Sequence, residues 1–341
     1  MPNGSRQLAL PGRAGLEPNR TSPVITDVPG IRVGHATDLA GLTGCSVILC
    51  DRPAVGGVEL RGWATGIHGL DFLDPRHLVP TLNAVVLSGG SAFGLETVFG
   101  VMQYLEERGV GFKAGPTVIP HVAGAILFDL TVGDHRARPT RAMGYTACLN
   151  ATSGPVEEGN VGAGAGATVG KLFGVPRAMK GGIGSASAHM GGGIVGALVA
   201  VNALGDVRDP TTGQLLAGTR DTPTGRRLVD TASELQRGTP LPVFGSAQHT
   251  TIGVLATTFR LSKPEATKVA QLGMLGFARA LSPPHTAVDG DALFCLSVGD
   301  VQADLTAVGL AAADVVAQAI VRAIKTATSL PGLPAWKDLT A

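Results

Sequence analysis

The sequence predicts an α+β fold, because strand-like and helix-like segments come in blocks instead of the strict alternation that a parallel doubly wound sheet requires. Two bulk properties agree with a layered fold. Apolar residues make up 44% of the 341 and charged residues 16%, enough for a large core. The 49 glycines have no triplet period and cluster beside apolar β-type runs, where backbones pack closely or approach a ligand.

Residues 1–22 mix Pro, Gly and Arg without periodicity and read as a disordered or loosely docked arm. A single domain follows over 23–330. Strands are expected at Gly30–Gly34, Cys45–Cys50 and Ala84–Leu87. A helix is expected to start near Ser91, with Phe93, Val98, Met102 and Leu105 on one stripe. Further strands are expected at Ala123–Leu130, Ile194–Asn202, Thr250–Thr257 and Leu293–Val298. A helix over Lys263–Leu281 has Pro264 in its first turn and Val269, Leu272, Leu275 and Ala278 on one face. An Ala-rich helix covers roughly Asp304–Thr328, and 331–341 reads as a loop tail.

A net charge of +1 without a basic stripe supplies no field for nucleic acid or an anionic membrane. The amino-terminal residues contain no apolar block of the kind that makes a secretory signal. The longest apolar run, Ile194–Leu204, is well short of the ~20 residues that span a bilayer. These features predict a cytoplasmic protein. Cys45, Cys50, Cys148 and Cys295 show no CxxC spacing. Cys45 and Cys50 fall on opposite faces of one strand, which fits buried free thiols. The eight histidines form no HxxxH pair, so neither a metal nor another cofactor is expected.

Gly162–Ala167 matches a GxGxxG/A pattern but lacks a preceding strand, so close backbone packing or a substrate wall is favoured over a nucleotide site. Gly89–Gly94 has Phe93 where a nucleophile elbow needs Gly. Ser91 is therefore read as a helix N-cap, beside Gly90, whose helix N–H groups could receive a substrate carbonyl or carboxylate. Two stretches remain: Gln248–Thr257, a strand opening on two threonines, and His285–Phe294, a loop built on Asp289-Gly290-Asp291. Alternation puts Thr250 and Thr251 on opposite faces, so only one can face a site. By pattern alone, each stretch also fits an ordinary strand or a solvated turn.

Six blocks stand in order: Asp27–His35, Leu87–Leu95, Gly162–Lys171, Val201-Asn202, His249–Thr251 and Asp289–Asp291. Through them, nearly the whole chain from Val24 to about Thr328 resembles the DmpA-like L-aminopeptidase/D-esterase family, relatives of which include β-peptidyl aminopeptidases and nylon-oligomer hydrolases. The resemblance implies a four-layered αββα sandwich. It also implies self-cleavage between His249 and Thr250, with Thr250 as the new amino-terminal nucleophile that opens amide bonds of short peptides or amino-acid amides. A freed α-amine, with a pKa near 7.7–8.0, is a base within reach of its own Oγ; an amide nitrogen is not.

By the same resemblance, Asn202 matches the position that helps hold the oxyanion, and Asp289 and Asp291 match the polar pair beside the nucleophile. Lys171 matches a lysine near the nucleophile in nylon-oligomer hydrolases; a surface lysine after a Gly loop is the other reading. Gly90, Ser91 and Phe128 are candidates for substrate contact. Many relatives have Asn where His249 stands, and some have Tyr where Phe128 stands. The resemblance further implies homo-oligomers of processed chains. Two rival functions remain: acyl transfer to an amine of the ornithine acetyltransferase kind, and an unprocessed binding protein without activity.

Overall fold

The computed structural model describes residues 22–241 and 249–340. The expected amino-terminal arm, apart from Ser22, lies outside the described residues. The main strands are β1 (Ile31–Asp38), β2 (Thr43–Leu60), β3 (Leu82–Ser88), β4 (Val122–Ile126), β5 (Gly182–Met190), β6 (Gly193–Val201), β7 (Ile252–Phe259) and β8 (Ala292–Val301). The main helices are α1 (Glu96–Glu106), α2 (Arg141–Leu149), α3 (Lys263–Ala280) and α4 (Leu305–Thr326).

Hydrogen bonding runs β5-β6-β7-β8-β2-β3-β4 and ends on the short strand Ile67–His68, with β1 on the other partner edge of β2. The 18-residue β2 belongs to two layers. Its first half pairs with β1 and β3 and its second half, Val55–Leu60, pairs with β8, with a register break between Leu49 and Ala54. Ile48, Val85, Leu87 and Ala125 from one layer pack against Leu198, Ile252, Val254 and Phe294 from the other. Cys45, Val47, Ala84 and Val86 point the opposite way, against α1 and α2. Val199, Leu255 and Leu293 likewise face α3 and α4. Alternation along the strands thus produces the αββα order. It also separates Cys45, under the helices, from Cys50, between the sheets.

Local signals account for the ends of the elements. Gly191 and Gly192 take positive φ values of 52° and 78°, as a two-residue hairpin between β5 and β6 requires. Ser262 and Glu265 close a capping box at the start of α3, and Asp304 caps α4 through Ala307 N–H at 3.0 Å. By length and composition α4 could cross a membrane, but its apolar window is 61% buried within the fold, against α3 and the β5–β6 face.

Three expectations are corrected. Leu275 and Ala278 are exposed; the buried face of α3 carries Ala266, Val269, Ala270, Met274 and Phe277. A stripe through Leu275 competes with one through the small residues Gly273 and Gly276, which let Leu255, Leu293 and Val316 approach the helix. The tail is not all loop, since Trp336–Thr340 form a short helix. Ser91 does not cap through its side chain. Gly90 occupies the cap position at φ 78°, and Ser91 (φ 54°) opens a 3-10 turn, Ser91–Leu95, ahead of α1. The tight glycine turn puts the Gly90 N–H on the buried Asp129 carboxylate at 2.7 Å.

Candidate active site

Strand register assembles the site. β6 and β7 run antiparallel with Ala200 opposite Ile252, and the same register, continued by one further pair on the same face, places Asn202 opposite Thr250. The Thr250 N–H donates to the Asn202 carbonyl at 3.1 Å. β7 and β8 run parallel with Ile252 beside Ala292, and a bridge between His249 and Asp289 extends that pairing back. Three segments far apart in sequence therefore meet at one end of three adjacent interior strands. Thr250 keeps the phase of Ile252, Val254 and Ala256, which face the space between the sheets. Thr251 is on the other phase. Its Oγ1 is buried without a partner among the described residues, while its N–H donates to Asp291 Oδ1 at 2.7 Å.

Thr250 is 2% exposed. Its Oγ1 donates to the carbonyl oxygen of His249 at 2.5 Å, and the Gly290 N–H donates to the same oxygen at 3.0 Å. The His249 ring is fully buried, and neither nitrogen has a partner among the described residues. Burial, and secondarily the Lys171 charge, pushes its pKa down to about 2, so the imidazole is neutral.

Asn202 is fully buried and saturated on its acceptor side. Oδ1 accepts from Thr168 N–H at 3.0 Å and from Lys171 Nζ at 2.8 Å, and the backbone carbonyl accepts a second bond from Lys171 at 2.9 Å. Both partners of Oδ1 are obligate donors, which fixes the amide orientation. Nδ2 donates to Phe128 O at 3.0 Å, tying the two sheets together, and its second N–H makes no hydrogen bond among the described residues.

Lys171 is buried, not a surface lysine. Burial lowers its pKa to about 7 against the opposing pull of Asp289, Asp129 and Asp291. Burial, then the Asp291 charge, raises Asp289 to about 7. Asp289 accepts from Leu204 N–H at 3.3 Å, from Thr286 N–H at 3.0 Å and from the Thr286 hydroxyl. Asp291 Oδ2 accepts from His285 N and Nδ1 at 3.2 and 2.8 Å.

The pKa shift of Asp289 predicts a pH effect on stability. Between about pH 4 and 7 the folded chain holds a proton on Asp289 that the unfolded chain has released, so stability falls as pH rises through that window. Asp289→Asn carries no such penalty. Its advantage over the parent is expected to grow across the window by at most about 1.4 kcal/mol per pH unit and to level off above it. Urea unfolding of the parent and of Asp289→Asn at pH 5 and pH 7 measures it. A constant difference would refute it.

Gly90 and Ser91 make no hydrogen bond to Thr250 among the described residues. Gly90 reaches the site at one remove, through Asp129, the neighbour of Phe128. The Gly162–Ala167 segment is packed backbone, since a Cβ at Gly164 would lie 2.4 Å from Ile183 N and one at Gly166 2.3 Å from Leu42 O. The buried Lys180 grips this segment, donating to Gly164 O, Ala167 O and Gly181 O at 2.8, 2.9 and 3.0 Å. Asp129, Thr168, Lys180, His285 and the Gly290 amide were not anticipated. Thr168 lies in the Gly162–Lys171 block, and His285 and Gly290 lie in the stretch of the two aspartates; Asp129 and Lys180 lie in neither.

Comparison with known proteins gives a consistent picture. The family model described as peptidase family S58 matches residues 23–335. An uncharacterized aminopeptidase of Mycobacterium tuberculosis is 39% identical, over 92% of this chain and 97% of its own. A 6-aminohexanoate-oligomer endohydrolase of a Kocuria strain is 30% identical, over 88% and 85%. Two solved structures share the fold. The L-aminopeptidase D-Ala-esterase/amidase of Ochrobactrum anthropi, described as a variant of the Ntn hydrolase fold, has a TM-score of 0.69 at 22% identity, covering 92% of this chain and 89% of that one. A Burkholderia β-aminopeptidase has a TM-score of 0.67 at 23%, covering 96% and 95%.

Proposed function

The chain belongs to peptidase family S58 and is a hydrolase, and from that premise we propose that it cuts itself between His249 and Thr250 and then works as an amino-terminal-threonine aminopeptidase or amidase. One observation carries the reading: the His249 carbonyl has the hydroxyl of the next residue against it and an amide donor, Gly290 N–H, on its oxygen. Attack of Oγ1 on that carbonyl carbon breaks the C–N bond, and the Thr250 nitrogen leaves as an amine, taking up a proton. Water then hydrolyses the resulting ester, leaving a His249 carboxylate and a free Thr250 α-amine.

In turnover the α-amine accepts the Oγ1 proton while Oγ1 attacks a substrate carbonyl. The free N–H of Asn202 faces the developing oxyanion, and the leaving amine is protonated. Water releases the acyl group by the same route in reverse. Lys171 and Asp289, both shifted to about 7, supply a cation and a carboxyl that exchange protons near neutrality. Asp289 also suits the free amine of a short peptide or amino-acid amide. The named relatives are aminopeptidases and oligomer hydrolases, which supports water over an amine as acyl acceptor.

A denaturing gel with mass spectrometry tests this. Fragments 1–249 and 250–341, together with release of amine from aminoacyl amides, are the expected result. A chain that stays whole on prolonged incubation refutes it.

A further inference from the structure

Asp291 is 1% exposed, and its two oxygens are committed in different directions. Oδ1 takes the N–H of Thr251, the amide that follows the nucleophile, at 2.7 Å. Oδ2 takes two donors from His285, the backbone N–H at 3.2 Å and Nδ1 at 2.8 Å. His285 pays a conformational cost to be there, since its φ is 53°, a region that a residue with a side chain seldom adopts. Its ring is also held from behind. The buried Phe277 of α3 lies across it, with centroids 5.6 Å apart and the planes 30° from parallel. The imidazole is thus fixed by backbone, by ring contact and by a carboxylate, while its side chain is still 20% exposed. Such concentration of constraint on one side chain, linked through Asp291 to the Thr251 amide, is typical of residues that set geometry.

We propose that His285 is a positioning residue for the Thr250 chemistry: its Nδ1–H holds Asp291 in the orientation that fixes the Thr251 amide and, through it, the nucleophile. This rests on the reading of Thr250 given above. A merely structural turn would need the left-handed backbone but not the donor, and substitutions separate the two. His285→Gly keeps the backbone conformation without strain and removes the donor. His285→Asn tolerates the left-handed region and returns a short N–H donor.

Three measurements decide it. In His285→Gly, kcat for an aminoacyl amide is expected to fall at least about tenfold with KM within about twofold, and cleavage before Thr250 to slow in parallel. His285→Asn is expected to recover to within about threefold of the parent. In uncut chains carrying Thr250→Ala, hydrogen exchange of the Thr251 amide is expected to quicken at least about tenfold with His285→Gly and to stay at the parent rate with His285→Asn. A His285→Gly protein that matches the parent, or a His285→Asn protein as defective as His285→Gly, overturns the assignment. If the parent chain is never cut, the nucleophile reading fails, and the Thr251 exchange rates still decide whether His285 positions that amide.

Discussion

Thr250→Ala is expected to yield one uncut chain with amide hydrolysis lowered by at least about 10⁴-fold, because on the proposed reading the substitution removes the hydroxyl that attacks in both reactions. Thr250→Ser is expected to be cut and to turn over within about tenfold of the parent, since it keeps Oγ and loses only the methyl that stiffens χ1. Thr251→Val serves as the internal control. The Thr251 hydroxyl is buried, with no partner among the described residues, on the phase that leads toward α3 and α4, so an isosteric methyl leaves the site intact. Cleavage of Thr250→Ala at the same bond, or failure of Thr251→Val to be cut, would transfer the nucleophile role away from Thr250. The choice between the two threonines rests on geometry as well as resemblance, because only Thr250 has its hydroxyl against the preceding carbonyl.

That choice was half legible in the sequence. Alternation alone says that Thr250 and Thr251 cannot share a face, and the structure keeps that separation down β7. What alternation cannot supply is register. Asn202, Thr250 and Asp289 meet because β6, β7 and β8 pair in particular offsets, which join residues 40 to 62 positions apart. The main strands and the long helices were readable where apolar periodicity was clear, as in α3, although the exposed Leu275 misled the assignment of its face. β5 was missed: its run Gly-Ile-Gly-Ser-Ala-Ser-Ala carries little hydrophobic contrast. The small residues there have a packing reason, since a Cβ at Gly184 would lie 2.3 Å from Ala319 O of α4. α2 was missed because nine residues with Gly144 in the interior give a weak helical signal; that glycine sits against the Thr97 carbonyl of α1. Lys171 illustrates the remaining gap. Two readings of it were open, and only three-dimensional burial and two acceptors on Asn202 separate them.

Asn202 offers the second large effect, and its two functions can be separated by choice of substitution. Asn202→Ala removes the acceptor of Thr168 N–H and one of the two acceptors of the Lys171 ammonium in a buried site, so it is expected to destabilise the fold by about 2–4 kcal/mol. Asn202→Asp keeps both acceptors and sets a carboxylate against Lys171, but puts an oxygen where Nδ2 met the Phe128 carbonyl and removes the free N–H. It is therefore expected to fold with less loss than Asn202→Ala while hydrolysis falls about 10²–10³-fold, the usual effect of deleting one oxyanion donor. Urea midpoints in the uncut Thr250→Ala background report the first quantity, and kcat on an aminoacyl amide reports the second. Turnover of Asn202→Asp at the parent rate would show that the oxyanion is held elsewhere, with the Gly290 N–H, already on the His249 carbonyl oxygen, as the donor the geometry offers next.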